Sequence, residues 1–499
     1  MDTVAEPKVC NICYCICCRK TIPQRHVMTI LLILGPIILY IHRVCINLAI
    51  VNMTSWEVPE ASREEHEVCS RGKNITTIPQ FVEIYDRQFD WNESIQSYIL
   101  LSFFVGYMIG NFCIGFLINA FGGRICLFVG AFVSSVMTLL IPIIADYTHW
   151  AVVCAARILT GVGQSALYSS SSSLIARWLL EESKSSAATL ILTSFTFGIV
   201  IGNVGTGYIM AWTNTWRMVF YIFGSIGFIW VVFFYFYVYP NPQSHKHITK
   251  DELNLLESIP KARQTKIPFG HILSDVAVWM FFLAFFGSDF TVYLIITNMP
   301  KYFVTVMGFS TPVTGMILIG PPAAGALGGI SIGFLGDHLI SRKLTKKITF
   351  RLICTTIGLP IPPICLLMMV YMECDAIMSS FLVTLAMFFQ SAYYAGAGMM
   401  AVDLTLNYPG LLFGYCNVAG GLAGSIAPYI VGHFANNNTF REWKTVMYIV
   451  IAVAVIAWVP IMMFSKAERK SWDYSAEEEP PPEDNTPGRK KVWSCYKPV

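Results

Sequence analysis

Residues 115–124, GFLINAFGGR, and residues 333–342, GFLGDHLISR, are two similar stretches at corresponding places in the two halves of the chain. Each one follows the second of six apolar runs. Glycine lets neighbouring helices approach closely, and the charged or polar residues at the end of each stretch can link two helices at the membrane surface. The repeat therefore predicts two related halves of six helices each.

The apolar runs around these stretches are long enough to cross a bilayer, which requires about 20 residues. The chain is 55% apolar and 13% charged, with a mean hydropathy of +0.56, whereas a soluble protein carries about 25% charge. The composition predicts an all-α membrane protein with 12 transmembrane helices. The runs lie near 28–51, 94–118, 125–145, 150–175, 187–210, 217–238, 277–298, 313–336, 349–371, 377–400, 410–434 and 443–465.

Polar segments divide the 499 residues into parts. We expect a cysteine-rich cytosolic N-terminus, a first half with a long outward loop at 52–93, a cytosolic linker, a second half and a disordered cytosolic tail. Their expected bounds are 1–27, 28–238, 239–275, 276–465 and 466–499.

The distribution of Lys and Arg orients the chain, because positively charged loops stay in the cytosol. Basic residues concentrate in the N-terminus, the linker, the tail and the loops that contain Arg124 and Arg342. Acidic residues outnumber basic ones in the 52–93 loop. Both termini should therefore be cytosolic. A net charge of +3 without a basic face gives no reason to expect a nucleic-acid partner.

Four Asn-X-Ser/Thr sequons fall in segments that this orientation places outside, and they are candidate glycosylation sites. They are Asn74, the favoured site, and Asn437, Asn52 and Asn92. Cys69 and Cys374 can form a disulfide if both face the oxidising side. The cysteines at 10–18 are candidates for palmitoylation or belong to an inert tail.

The paired stretches resemble the G-x-L-x-D…R loop of the major facilitator superfamily. Further motifs resemble one branch of it, the anion:cation symporters, which include sodium/phosphate transporters, sialin and vesicular glutamate transporters. The resemblance covers nearly all the membrane domain in order and spacing. The motifs are RILTGVGQ at 157–164, ARW at 176–178, SFFVGY at 102–107, WRMVFYIFG at 216–224 and PKY at 300–302.

Departures from the branch bear on the substrate. Vesicular glutamate transporters and sialin carry Glu where this chain has Gln164, and Gln cannot titrate. Glutamate transporters also carry His where Leu100 falls and Arg where Ser288 falls. The chain is therefore more similar to the phosphate and organic-anion carriers. In the tenth run, Asp403 of the family motif remains while the motif's Asn and Pro are replaced.

Ionisable residues inside spans are costly and usually face a cavity or a partner. Arg157 can grip a carboxylate or phosphate with two hydrogen bonds, or it can belong to a structural ion pair. Arg157 is expected to hold the anion, and Arg43 can line the cavity and assist it or extend towards the interface. Asp289 can hold Na⁺, exchange a proton, or neutralise Arg43 or Arg157. Gln164 and Tyr293 offer hydrogen bonds to a substrate.

Three further residues are candidates for gating at the cytosolic surface. The resemblance implies that Asp337 and Arg124 belong to an interlock between helices, and Asp403 can serve as a helix cap or a gate. We find no catalytic, nucleotide-binding or metal-binding motif, and we expect neither an enzyme nor a cofactor. The energy should come from an ion gradient or the membrane potential.

The sequence thus predicts a secondary active transporter for inorganic phosphate or an organic anion, coupled to Na⁺ rather than H⁺ or driven by membrane potential. The alternative is an anion channel or a non-transporting anion sensor on the same scaffold. The expected partners are a small anion and the lipid bilayer, and the expected state is a monomer. Its location would be the plasma membrane or an endolysosomal or vesicular membrane.

Overall fold

Long apolar helices make up nearly all of the structure. It is a computed structural model, and outside the helices the described residues show one isolated β-bridge, between Thr54 and Phe89. The described residues are 23–54, 86, 88–179, 181–244, 248–257, 269–373, 375–400 and 409–464.

The first half contains six long helices, which we call the first to sixth spans. Their bounds agree with the predicted runs to within a few residues, except that the first and fifth begin earlier. They are Gln24–Met53, Glu93–Phe121, Gly123–Tyr147, Trp150–Trp178, Glu181–Thr213 and Arg217–Tyr237.

The second half repeats this order with the seventh to twelfth spans. Among the described residues, 11 helical segments in the two halves are long and apolar enough to cross a membrane, and the 26-residue helix Pro409–Phe434 lies where the eleventh run was predicted. The second-half helices are Val276–Thr305, Thr311–Ile317 with Gly320–Ser341, Lys347–Gly358 with Ile361–Tyr371, Ala376–Tyr393 with the π-helical Tyr394–Gly398, Pro409–Phe434 and Phe440–Phe464.

Prolines break two spans of the second half. Proline lacks an N–H group and is best accommodated at the start of a helix. The eighth span accordingly restarts at Gly320 with Pro321 and Pro322 in its first turn, and the ninth restarts after Pro360. The tenth span departs from α-helical geometry at Gly396 (φ −87°, ψ −109°). Such π-helical turns often lie at functional sites.

The linker packs on the start of the first span. The linker contains the helices Lys250–Glu257 and Phe269–Ser274. The buried carboxylate of Glu252 accepts hydrogen bonds from the backbone N–H groups of Gln24 (3.1 Å) and Arg25 (3.0 Å). It thereby caps a helix N-terminus that has no side-chain cap of its own. We call this end of the bundle the linker side and the opposite end the far side.

The two halves meet through three helix pairs, which are the first and seventh, the second and eleventh, and the fifth and eighth spans. The second and eleventh spans touch at Gly424 against Phe104 and at Gly432 against Ser97. Towards the linker side, among the described residues, neither Gly115 nor Gly414 has a neighbour within 4 Å of where a side chain would begin. The halves therefore separate towards the linker side and close on the far side.

Several predictions lie outside the described residues and stay predictions. They concern the cysteines at 10–18, the Cys69–Cys374 pair, Asn74, Asp403 and the tail.

Candidate substrate site

Arg43 of the first span lies at the junction of the two halves, inside a cage of aromatic rings. Its side chain is 5% exposed, and one of its terminal nitrogens, Nη2, has no hydrogen-bond partner among the described residues. Cation–π contacts of this kind are worth about 0.5–2 kcal/mol each. The guanidinium carbon lies 4.8–5.2 Å from the ring centres of Tyr40, Phe103, Phe104, Tyr107 and Tyr293.

The close packing of the second and fourth spans positions three of these rings. A side chain at Gly161 would meet the backbone at Phe103 and Tyr107, and one at Gly106 would meet the backbone of Ile158. Only glycine allows helices to approach this closely. Tyr293 comes from the seventh span, so that the cage joins both halves around one cation.

Arg157 of the fourth span lies behind Phe103. It is 2% exposed and donates two long hydrogen bonds of 3.5 Å to the backbone carbonyls of His42 and Arg43. Its guanidinium carbon is 5.0 Å from the Phe103 ring, which therefore contacts both arginines. In the part of the chain that the structure describes, neither arginine has a carboxylate within 4 Å. The structural ion pair considered from the sequence is thus not found there.

Gln164 belongs to a buried chain of hydrogen bonds. Its Nε2 donates to the carbonyl of Leu39 (3.0 Å) and to Ser134 Oγ (3.0 Å). Ser134 is 3.4 Å from Nδ1 of His42, whose Nε2 is 3.0 Å from the carbonyl of Phe223. One assignment satisfies every group: Ser134 donates to Nδ1 of a neutral His42, and Nε2–H donates to Phe223. Gln164 therefore holds the first span in place and does not reach Arg43.

Asp289 of the seventh span is half-buried and has no hydrogen bond or ion pair to any described residue. Its carboxylate lies directly against Gly420 of the eleventh span. The preceding residue, Ser288, accepts a 2.6 Å hydrogen bond from Gln390 of the tenth span. Tyr293, one turn further on, contacts Arg43. The structure thus brings together Arg43, Tyr293 and Asp289, with Arg157 one layer behind.

Two of the proposed gating residues, Arg124 and Asp337, lie towards the linker side, and Asp403 lies outside the described residues. Arg124 donates a 2.7 Å hydrogen bond to the carbonyl of Tyr235 and lies over the rings of Tyr235 and Tyr239. These contacts stay within the first half. Asp337 lies in the eighth span.

A buried polar cluster on the far side, which we call the far-side cluster, was not predicted. Lys301 of the seventh span pairs with Glu93 of the second, and it also donates to Gln96 (2.9 Å). Asn438, before the twelfth span, donates to Glu93 (3.0 Å). Lys301 is 4% exposed. Glu93 stands just before an apolar run and Lys301 just after one, and charges at such positions usually mark the membrane surface. Of the two residues, only Lys301 lies in a motif of the resemblance, PKY at 300–302.

The described sequons differ in accessibility. The amide of Asn52, to which a glycan would be attached, donates to Thr311 (3.0 Å) within the protein. Asn92 is exposed and caps the second span. Asn437 is exposed, and its amide donates to Glu442 (2.9 Å). In this conformation Asn92 and Asn437 are the more accessible of the three.

Comparison with known proteins agrees with this architecture. Residues 68–387 match the family model of the Major Facilitator Superfamily. A putative inorganic phosphate cotransporter of Drosophila ananassae is 26% identical over 91% of this chain and 95% of its own, and sialin of Ovis aries is 27% identical over 92% of each.

A solved structure shows the same fold. A bacterial homologue of the human lysosomal transporter Spinster, in an inward-facing and occupied conformation, aligns with a TM-score of 0.64 at 13% identity, over 91% of this chain and 100% of its own. The chain belongs to the major facilitator superfamily of membrane transporters, which are not enzymes, and to its anion:cation symporter branch.

Proposed function

We propose that the protein is a secondary active transporter of a small anion, inorganic phosphate or an organic anion, that works by alternating access. The observation that carries the proposal is the pair of buried arginines at the junction of the halves, which have no carboxylate partner among the described residues. A buried cation without a counter-ion is strongly disfavoured, so an anion that enters the cavity gains a strong electrostatic interaction. The aromatic cage around Arg43 favours an organic anion, because its rings can also cover apolar surface.

The two arginines have different roles in this proposal. Arg43 is the candidate for direct contact, since its cage includes Tyr293 from the opposite half. Arg157 lies behind Phe103 and already donates to the first span, so it supports the positive potential of the site. This assignment reverses the order expected from the sequence, in which Arg157 was the main contact. Asp289 is the candidate for the coupling cation, with Na⁺ favoured over H⁺, and the membrane potential is the alternative driving force.

The far-side cluster supports a carrier over a channel. A channel needs a path that is open at both ends at the same time. Here the halves are joined on the far side by a buried ion pair and separate on the linker side, which is one of the two end states that alternating access requires.

Uptake by proteoliposomes that contain the purified chain tests the proposal. Labelled phosphate and a panel of labelled organic anions are offered with and without an inward Na⁺ gradient. Charge-assisted hydrogen bonds are worth about 1.5–3 kcal/mol, so Arg43→Gln should lower the initial uptake rate about 10–100-fold. Arg441→Gln, which changes an exposed arginine in the first turn of the twelfth span, is the matched control and should transport normally.

Full-rate uptake by Arg43→Gln would contradict the assigned site. A current through the wild-type protein that persists without any gradient-driven accumulation would indicate the channel instead.

A further inference from the structure

Asp289 is the second charged residue of the candidate site, and the groups around it indicate which kind of cation it binds. The carboxylate is half-buried in the seventh span and lies against Gly420, a position where any side chain would strike it. Among the described residues it accepts no hydrogen bond and forms no salt bridge. A carboxylate inside a membrane protein needs a partner, and none of these residues supplies one.

Asp289 and Arg43 belong to opposite halves and lie near the same aromatic ring. Residues four apart on a helix share a face, and Tyr293 lies four residues after Asp289 with its ring 5.0 Å from the Arg43 guanidinium. The two charges are close enough to interact electrostatically, yet they are not within 4 Å of each other. A positive and a negative group, neither of which has an ion-pair partner among the described residues, therefore lie on either side of the Tyr293 ring.

The groups around Asp289 suit an organic ammonium better than a bare metal ion. Hard cations prefer several oxygen ligands, and the described residues contain no cluster of three or more His, Cys, Asp or Glu side chains. The electrostatic neighbours of Asp289 among the described residues are instead tyrosines and one cysteine, besides Arg43: Tyr107, Tyr293, Tyr393, Tyr394 and Cys416. A single carboxylate beside aromatic rings is a common way to recognise an ammonium group.

We propose that the cargo is a small zwitterion whose acidic group binds Arg43, whose ammonium group binds Asp289, and whose apolar or aromatic body lies against Tyr293 and Phe104. The inference rests on the proposed function, from which it keeps the acidic group bound at Arg43 and departs in making the cargo a zwitterion. The positive charge that would otherwise come from a separate coupling ion at Asp289 belongs to the cargo itself.

Matched sets of compounds on one body test the proposal with the purified full-length chain. Each set contains an acid, an amine and the zwitterion: 3-phenylpropanoate, 2-phenylethylamine and phenylalanine; 3-indolepropanoate, tryptamine and tryptophan; pentanoate, butylamine and norvaline. Affinity is measured from ligand-induced stabilisation against heat and from competition for uptake. In at least one set the zwitterion should bind the wild-type protein about tenfold or more tightly than its acid.

Asp289→Asn should remove this preference, so that acid and zwitterion bind alike, and Arg43→Gln should weaken both. Asp375→Asn changes a carboxylate that caps the tenth span, where Asn caps equally well, and it should keep the wild-type preference. The comparison of the acid with the zwitterion uses the wild-type protein alone, so the proposal is tested even if a variant misfolds.

If the zwitterions bind no more tightly than the matching acids, the inference is wrong and the proposed function still stands. A dependence of acid binding on Na⁺ that Asp289→Asn abolishes would also overturn it, because the carboxylate would then hold the metal ion. Failure of every acid-bearing compound, zwitterions included, would overturn the inference, and failure of labelled phosphate as well would contradict the anion-transport proposal.

Discussion

A charged side chain inside a membrane protein must be stabilised by a partner, and the charged residues of this structure differ in the partners that they have. Glu93 and Lys301 neutralise each other, while Arg157 has weak hydrogen bonds to the first span. Arg43 is surrounded by aromatic rings and has no carboxylate within 4 Å among the described residues, and the Asp289 carboxylate has no direct partner among them. Because the cost of an unpaired buried charge is high, the last two are the residues that a bound substrate would stabilise most.

At the scale of single residues, Gln164 gives a prediction because its amide joins the first, third and fourth spans through buried hydrogen bonds. The Gln amide donates two hydrogen bonds, to Leu39 and Ser134. In Gln164→Glu an ionised carboxylate would face the Leu39 carbonyl and could not donate. Each lost hydrogen bond to a buried group costs about 1–3 kcal/mol. We expect lower thermal stability and uptake at pH about 7.5, with partial recovery at pH about 4.5, close to the ordinary pKa of Glu, where the carboxyl is partly protonated and can donate one bond.

Gln164→Met provides the comparison for this prediction, since it has a similar length and no donor. It should lose stability to the same extent at both pH values. If Gln164→Glu behaved like the wild-type protein at both pH values, the two hydrogen bonds would not matter for folding or transport.

The sequence indicated some of these residues and not others, for a physical reason. Arg43, Arg157 and Asp289 stand out because a charge in an apolar run is rare. Phe103 and Tyr107 do not stand out, since an aromatic residue that contacts lipid and one that contacts a guanidinium look the same in an apolar run. The pairing of Glu93 with Lys301 joins residues far apart in the chain, and only the folded bundle brings them together.

At the scale of single helices, glycine contacts set the geometry of the site. The second and fourth spans touch backbone to backbone at Gly106 and Gly161, and this contact fixes the height of Phe103 and Tyr107 beside Arg43. The pattern of apolar runs predicted the spans themselves. It did not predict the breaks at Gly320 and Pro360, because these come from prolines within runs whose hydropathy is continuous.

Gly161→Ala tests this contact. The added methyl group would overlap the backbone at Phe103 and Tyr107, and forcing the helices apart typically costs about 1–3 kcal/mol. We expect a lower midpoint of thermal unfolding and reduced uptake, because the aromatic cage is displaced.

Gly115→Ala is the matched substitution on the second span. Gly115 has open space around it among the described residues, and alanine is the better helix former, so this variant should be as stable as the wild-type protein or more so. Equal stability of the two variants would show that the close approach at Gly161 is not required.

At the scale of the whole molecule, the two halves are joined asymmetrically. Hydrogen bonds between the spans of the two halves, such as Asn47 to Ile296 (3.1 Å) and Asn52 to Thr311, lie on the far side with the far-side cluster. On the linker side the second and eleventh spans part. The sequence predicted the two halves and their order, but which side is closed depends on contacts between halves that no local pattern encodes.

Lys301 should therefore control the balance between the two end states. Lys301→Met leaves Glu93 buried without its cation, and such a loss costs about 3–5 kcal/mol in the closed far-side arrangement. In the opposite end state Glu93 is hydrated and loses little. The equilibrium should shift by about 100-fold or more towards a far-side-open protein. The second-span residue Ser97, buried against Gly432, is a suitable reporter as Ser97→Cys, labelled by an impermeant maleimide applied from the far side.

The double variant Glu93→Leu/Lys301→Met separates this electrostatic effect from a loss of packing. Replacing both partners of a buried ion pair with apolar groups is often neutral or stabilising, so the far side should close again and Ser97→Cys should be labelled as slowly as in the unaltered cluster. The same variants without Ser97→Cys measure the labelling of the native cysteines, which is subtracted. If Lys301→Met alone leaves the labelling rate unchanged, the ion pair does not hold the far side closed, and the hydrogen bonds from Asn47 and Asn52 must hold it instead.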